Sequence, residues 1–273
     1  MKRGLVHIAL FVLFLSSALP LRAGELRLGG EFVQGGLVHG AAPPGAAVFF
    51  DERQLRLSPE GQFVFGFGRD AAPEAVLIVL YPDGEKETRH LSVAKRVYRI
   101  QRIDGLPKKM VTPPPELLAR IREEGANVRQ ARAFDTPETH VFDPFVWPAR
   151  GPISGVYGSQ RILNGEPRQP HFGVDIAAPA GTPVHAPAGG EVRLAEPDLY
   201  YSGGTVILDH GHGLSSSFLH MSRVDVIAGQ RVAQGEAIGA IGATGRVTGA
   251  HLDWRMNWFE RRVDPALLVG PQK

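Results

Sequence analysis

His171 and Asp175, in the run His171-Phe172-Gly173-Val174-Asp175, and His251 and Asp253, in His251-Leu252-Asp253, are the residues of this chain best suited by type and spacing to do chemistry. Imidazole and carboxylate at short spacing form a ligand set that suits zinc. Side chains on a strand repeat with period two, so a strand would place His251 and Asp253 on one face. Residues four apart on a straight strand lie about 13 Å apart, too far to share one ion. A helical turn or a bend must therefore bring His171 to Asp175, and Gly173 between them permits a bend or bulge. The expectation is a mononuclear metal site.

The elements that would position these residues read mainly as strands. From about Trp147 to Val263 the chain is glycine-rich, with short strands and almost no helix signal, so a site there must be built from strands and loops. Two stretches resemble each other, Gly181 to Val192 and Gly229 to Ile238, each with Gly, two residues, Val, a turn and a further β-branched residue. Such a weak repeat is expected where strand pairs line opposite sides of a compact β-barrel or sandwich. Upstream, from residue 25 to about 103, candidate strands are Glu31–Val38, Ala46–Phe50, Gln62–Phe67, Ala75–Tyr81 and Thr88–Val93. Pro43-Pro44-Gly45, Ser58-Pro59-Glu60-Gly61 and Pro82-Asp83-Gly84 punctuate them, a rhythm that suggests a small β-sandwich. His39 and His90 are isolated within it and read as structural or exposed.

Between these regions Pro107 to Pro115 forms a proline-rich break, stiffened as an extended segment by Pro113-Pro114-Pro115. A helix is expected from Glu116 to about Glu124, with Leu117, Leu118 and Ile121 on its apolar face and Gly125 as a stop signal. Residues 127–143 have weak periodicity and read as a linker, either free or packed across the groove of the following domain. The expected organisation is a signal peptide at 1–23, a β-rich module at 24–104, a proline-rich linker with one short helix at 105–146, and a domain at 147–268. The fold class is mainly all-β, an N-terminal β-sandwich-like module followed by a glycine-rich β-barrel or sandwich.

The chain has 273 residues, enough for one or two cored domains. Lys2 and Arg3, an apolar run from Leu5 to Leu19, Pro20 and Ala23 together predict an export signal. That run of about 15 residues is shorter than a membrane span of roughly 20, so no transmembrane segment is expected after processing. The whole chain has 30 basic and 28 acidic residues; without Lys2, Arg3 and Arg22 it has 27 against 28, a net charge of −1. Bulk charge therefore gives no support to a nucleic-acid partner. The absence of cysteine excludes disulfides, thiol catalysis and cysteine-ligated metal.

The residues from His171 through Asp175 to Val184 resemble the first motif of the lysostaphin-like, or LytM-type, zinc metallopeptidases of peptidase family M23. Ser217-Phe218-Leu219-His220-Met221-Ser222 resembles that family's middle motif, and Gly242 to Trp254 resembles its last, which normally reads His-x-His. Three motifs in order, spread over residues 147–268, make the resemblance specific. It implies an all-β peptidase domain, exported to the periplasm or secreted, that cuts peptide bonds in bacterial peptidoglycan. It also implies His171, Asp175 and the residue at 253 as metal ligands, with His220 and His251 handling the proton and the oxyanion. The implied ion is Zn²⁺, with Mn²⁺ or another divalent ion as alternatives. Relatives that have lost activity bind the wall and activate cell-wall amidases, so amidases are possible partners beside peptidoglycan.

Position 253 departs from the family pattern, with aspartate in place of histidine. Two carboxylates and one histidine leave Zn²⁺ with no net charge, so its water should be acidified less and the scissile carbonyl polarised less. Harder ligands also move preference toward Mn²⁺ or Mg²⁺. Two other groups read as structural. Asp209-His210-Gly211-His212-Gly213 suits a tight hairpin rather than a ligand cluster, and His185 and Tyr157 read as packing residues beside the cleft.

Overall fold

The structure, a computed structural model, describes residues 25–103 and 114–272. The signal at 1–23 and most of the proline-rich break lie outside the described residues.

The N-terminal module is a two-sheet sandwich. Strands β1 (Arg27–Gly30), β2 (Leu37–Ala41) and β5 (Gln62–Gly66) form one sheet. The other has the order β4 (Arg53–Gln54), β3 (Ala47–Phe50), β6 (Glu74–Leu80), β7 (Lys86–Ser92). The period-two pattern of β5 sends Phe63, Phe65 and the following Phe67 inward, where they pack with Phe50, Val48, Leu77 and Val79, all buried. Phe50 and Phe65 lie with ring centroids 4.3 Å apart. Four of the five expected strands are present within a few residues of their expected ends. Glu31–Val38 is instead mostly a turn. Gly30 (φ +111°) and Gly35 (φ +83°) adopt backbone that branched residues avoid, so the chain reverses and joins β1 to β2 as a hairpin.

Helix α1 (Leu118–Ala131) is longer than expected and runs through Gly125 rather than stopping there. Ile121, Val128 and Ala131 fall on one face at helical spacing, and Val128 and Ala131 pack on buried Leu194, Leu199 and Ile207. This tertiary contact outweighs the roughly 1 kcal/mol that a helical glycine costs relative to alanine. Arg120 donates to Asp198 Oδ2 at 3.2 Å, and Glu124 accepts from the Tyr200 amide at 2.8 Å, fastening the same face.

The C-terminal region is a ten-stranded sheet that does not close into a barrel. Its main path is β17 (Arg231–Val232), β14 (Gly190–Leu199), β15 (Gly203–Gly211), β16 (Leu214–Val224), β19 (Leu252–Trp258), β12 (Val174–Ile176), β9 (Ile153–Gly155). Strand β18 (Ala237–Ile241) pairs with β16 and with β13 (Pro183–His185), while β20 (Arg261–Val263) pairs with β19. The two similar stretches do not line opposite sides; they pair with each other, β13 with β18 and β14 with β17. Strand β8 (Ile100–Ile103) runs parallel to β10 (Gln160–Leu163), which also carries β11 (Glu166–Pro167).

One hydrophobic core runs through both regions. Phe50 of the sandwich lies 5.9 Å from Trp258 of β19, centroid to centroid, and Arg96 pairs with buried Asp264 at 2.8 Å. No helix among the described residues is long and apolar enough to cross a membrane.

Candidate metal centre

The antiparallel register between β12 and β19 sets Asp175 directly opposite Asp253. Directly paired residues project to the same face of a sheet, so the two carboxylates share a face. His171 lies in the extended approach to β12, and its Nε2 comes within 3.1 Å of Asp175 Oδ1. The bend expected at Gly173 is thus present, but glycine is needed there for a further reason. A Cβ on Gly173 would overlap the Asp253 carboxylate and fall 2.7 Å from both Arg255 Cγ and the Trp254 carbonyl oxygen. Gly155, opposite Asp175 on β9, is similar: a Cβ there would overlap the Asp175 carboxylate.

His171, Asp175 and Asp253 each offer a donor atom within 4.8 Å of the others. His171 Nε2 and Asp175 Oδ1 are buried, face each other and have no hydrogen-bond partner among the described residues. A buried imidazole nitrogen and carboxylate oxygen left without a hydrogen bond are costly unless a ligand satisfies them. This donor set therefore fits a divalent ion with an open coordination position.

His220 and His251 stand beside this group. Their rings are 4.9 Å apart, His251 Nε2 is 3.8 Å from Asp175 Oδ1, and His220 Nε2 is 4.0 Å from Asp253 Oδ2. His220 Nδ1 donates to the Thr244 carbonyl at 3.0 Å and His251 Nδ1 to the Gly249 carbonyl at 2.9 Å. These bonds assign the proton to Nδ1 in both rings and leave both Nε2 lone pairs open toward the carboxylates. His220 sits at φ +67°, a conformation uncommon for histidine, where the pairing of β16 with β15 slips. Burial lowers its pKa below the ordinary histidine value, against the opposing pull of Asp253, and keeps it neutral near pH 7.

All five expected site residues therefore converge. His210 and His212, also singled out from the sequence, are engaged elsewhere. His210 Nδ1 donates to the Gly189 carbonyl at 2.7 Å, and its Nε2 lies 2.6 Å from the Ser216 hydroxyl. His212 (φ +50°) forms the β15–β16 hairpin between two positive-φ glycines. Tyr157 is buried and donates to the Arg262 carbonyl at 2.7 Å, a packing role.

Arg255 was not anticipated as part of the site. Its Nε lies 3.0 Å from each Asp253 oxygen and its Nη2 2.5 Å from Oδ2, a bidentate grip on the third donor residue. Burial pushes the Asp253 carboxyl up, but the Arg255 guanidinium reverses this and holds it below the ordinary aspartate value. The spacing Asp253-x-Arg255 is the signal that could have revealed the pair, because period two puts both on one strand face.

A strand-built site that collects histidine and carboxylate donors around one point, with two further imidazoles beside them, has the plan of a metal-dependent hydrolase. Residues 169–265 match peptidase family M23. A crystal structure of a Pseudomonas aeruginosa protein assigned to peptidase M23 is 31% identical, with TM-score 0.68 over 88% of this chain and 96% of that one. Cell division protein DipM of Caulobacter vibrioides is 32% identical over 165 residues, 58% of this chain and 26% of its own length. Peptidoglycan DD-endopeptidase ShyA of Vibrio cholerae is 41% identical over 87 residues, 32% of this chain and 20% of its own. The chain belongs to peptidase family M23. The matched stretches span only about a quarter and a fifth of the two curated relatives.

Proposed function

We propose that this chain is an exported, metal-dependent endopeptidase that hydrolyses peptide bonds of bacterial cell-wall peptidoglycan. The observation that carries this reading is the convergence of His171 Nε2 and Asp175 Oδ1, buried and without a hydrogen bond among the described residues, with Asp253, beside two imidazoles whose Nδ1 atoms are engaged and whose Nε2 atoms face the carboxylates. His171, Asp175 and Asp253 would hold the ion. A divalent ion held there would polarise the scissile carbonyl and make a bound water acidic near neutral pH. His220, kept neutral by burial, accepts the proton from the attacking water at Nε2 and delivers it to the leaving amine. His251, fixed by its bond to Gly249, sets its Nε2 3.8 Å from Asp175 Oδ1, beside the place where the oxygen that becomes negative would lie. The likeness to ShyA supports a peptidoglycan peptide as substrate, and the apolar start of the chain supports export to the periplasm.

One observation favours a second reading. Arg255 occupies both oxygens of Asp253, which weakens the third donor and places a cation beside the ion. On that reading the chain binds the wall without cleaving it and acts through cell-wall amidases. Release of dye from labelled peptidoglycan separates the two. The endopeptidase reading expects release by the wild type with added divalent ion, none with chelator, and none by His171→Ala. Absence of release from the wild type under every ion tested would contradict it.

A further inference from the structure

The face of β19 that carries Asp253 also carries a surplus of positive charge. Alternation puts Asp253, Arg255 and Asn257 on that face. Ser217 of β16 is paired with Arg255, and Arg262 of β20 with Asn257, so both join it. Arg262 Nη1 donates to Asn257 Oδ1 at 3.1 Å, and its guanidinium lies 5.6 Å from the Phe172 ring centroid. Arg132, the residue that ends α1, reaches Ser217 Oγ with Nη2 at 3.1 Å and Nε at 3.3 Å. Three guanidiniums from three elements therefore meet beside one carboxylate, Asp253, which Arg255 already grips. Arg132 is held by a hydroxyl and Arg262 by an amide oxygen, and among the described residues neither has a carboxylate partner of its own.

Burial and mutual repulsion disfavour their charged forms. Burial, then the charges of Arg262 and Arg255, lower Arg132 well below the ordinary arginine value. Burial and then the charge of Arg255 bring Arg262 down to about 10. Partly buried guanidiniums without an acidic partner are costly in the free protein and favour an anion, which planar forks such as these bind bidentately. None of the three has another role in the chemistry assigned to His220 and His251.

We propose that Arg132 and Arg262 form a subsite for a substrate carboxylate close to the scissile bond, so that the enzyme selects peptides bearing a free carboxylate beside the bond it cuts. This rests on the peptidoglycan-peptidase reading and narrows its substrate class. Arg255, engaged by Asp253, completes the positive wall rather than the subsite itself. Arg132 caps the C-terminal end of α1, so on this reading the helix end supplies one side of the subsite instead of only linking two regions.

The test is binding of two fluorescently labelled cross-linked peptides to the full chain with chelator present, which prevents turnover. The peptides are identical except that the carboxylate beside the cross-link is free in one and amidated in the other. A third, amidated only at its C-terminus, distinguishes that second source of carboxylate. The wild type should bind the free form roughly tenfold more tightly than the form amidated beside the cross-link. Arg132→Gln and Arg262→Gln should each remove most of that preference with an unchanged melting temperature, and amidation should cost little further in the double variant. Equal binding of the two forms, a preference for the C-terminal carboxylate, or variants that weaken both forms equally would overturn the subsite. Added divalent ion then separates the two claims. Selective binding without hydrolysis leaves the subsite standing and removes the peptidase reading; hydrolysis without selectivity does the reverse.

Discussion

At the scale of single residues the site is a division between groups left open and groups fully engaged. His220 and His251 both use Nδ1 on a backbone carbonyl and keep Nε2 for the cleft. His220→Ala should therefore lower turnover of a cross-linked peptide by about 10²–10⁴-fold and leave the affinity for divalent ion almost unchanged. Turnover within threefold of wild type would show that this imidazole does not move the proton. His210 is the opposite case, a fully buried imidazole whose pKa burial drives down to about 4. A histidine with a depressed native pKa costs nothing above pH 6.5, where it is neutral in both states. As pH falls toward 4 the unfolded chain takes up a proton that the native one resists, and stability falls. The loss over that window should be on the order of 3 kcal/mol from this group. Denaturant melts at pH 7.5 and 4.5, compared between wild type and His210→Gln, would measure it; an equal pH response in both would assign acid lability to other residues.

At the scale of elements, the register of β12 against β19 does the positioning, and glycine makes it possible. A side chain at Gly173 has no space between Asp253, the Arg255 stem and the Trp254 carbonyl, and that carbonyl is backbone that cannot rotate away. Gly173→Ala should cost roughly 1–3 kcal/mol of stability and abolish binding of divalent ion, by pushing β12 and β19 apart. A variant that kept wild-type ion affinity would mean the donors do not depend on that approach. The same strand face links Asp253 to Arg255, and here the prediction runs in the opposite direction. Arg255→Ala frees both carboxylate oxygens and removes a neighbouring cation, so affinity for Zn²⁺ should rise by about tenfold while stability falls through the loss of a half-buried ion pair. Unchanged affinity in calorimetric titration would mean that Asp253 does not ligate the ion.

At the scale of the whole molecule, the sandwich and the ten-stranded sheet share one core, so they should unfold together. Phe50→Ala removes a ring that touches Phe65, Phe67 and Trp258 and should cost about 3–5 kcal/mol in a single transition. Two separate transitions in a calorimetric scan would contradict a shared core. Much of this plan was legible in the sequence, since period-two alternation around Phe63, Phe65 and Phe67 and the glycine-punctuated strands after Trp147 report local geometry. What was not legible came from distant contacts. Gly125 reads as a helix stop until β14 and β15 offer α1 a surface, and Arg132 meets Ser217 and Arg262 meets Asn257 only because α1 ends over that sheet and β20 pairs with β19. His171 and Asp175 could be named from spacing, whereas the grip of Arg255 on Asp253 depends on side-chain direction and reach. The central claim, that His171, Asp175 and Asp253 form a divalent-metal centre, is tested most directly by isothermal titration of the purified full chain with Zn²⁺ beside His171→Ala. One ion bound per wild-type chain and none by the variant is the predicted result; no binding by the wild type, or equal binding by both, would contradict it.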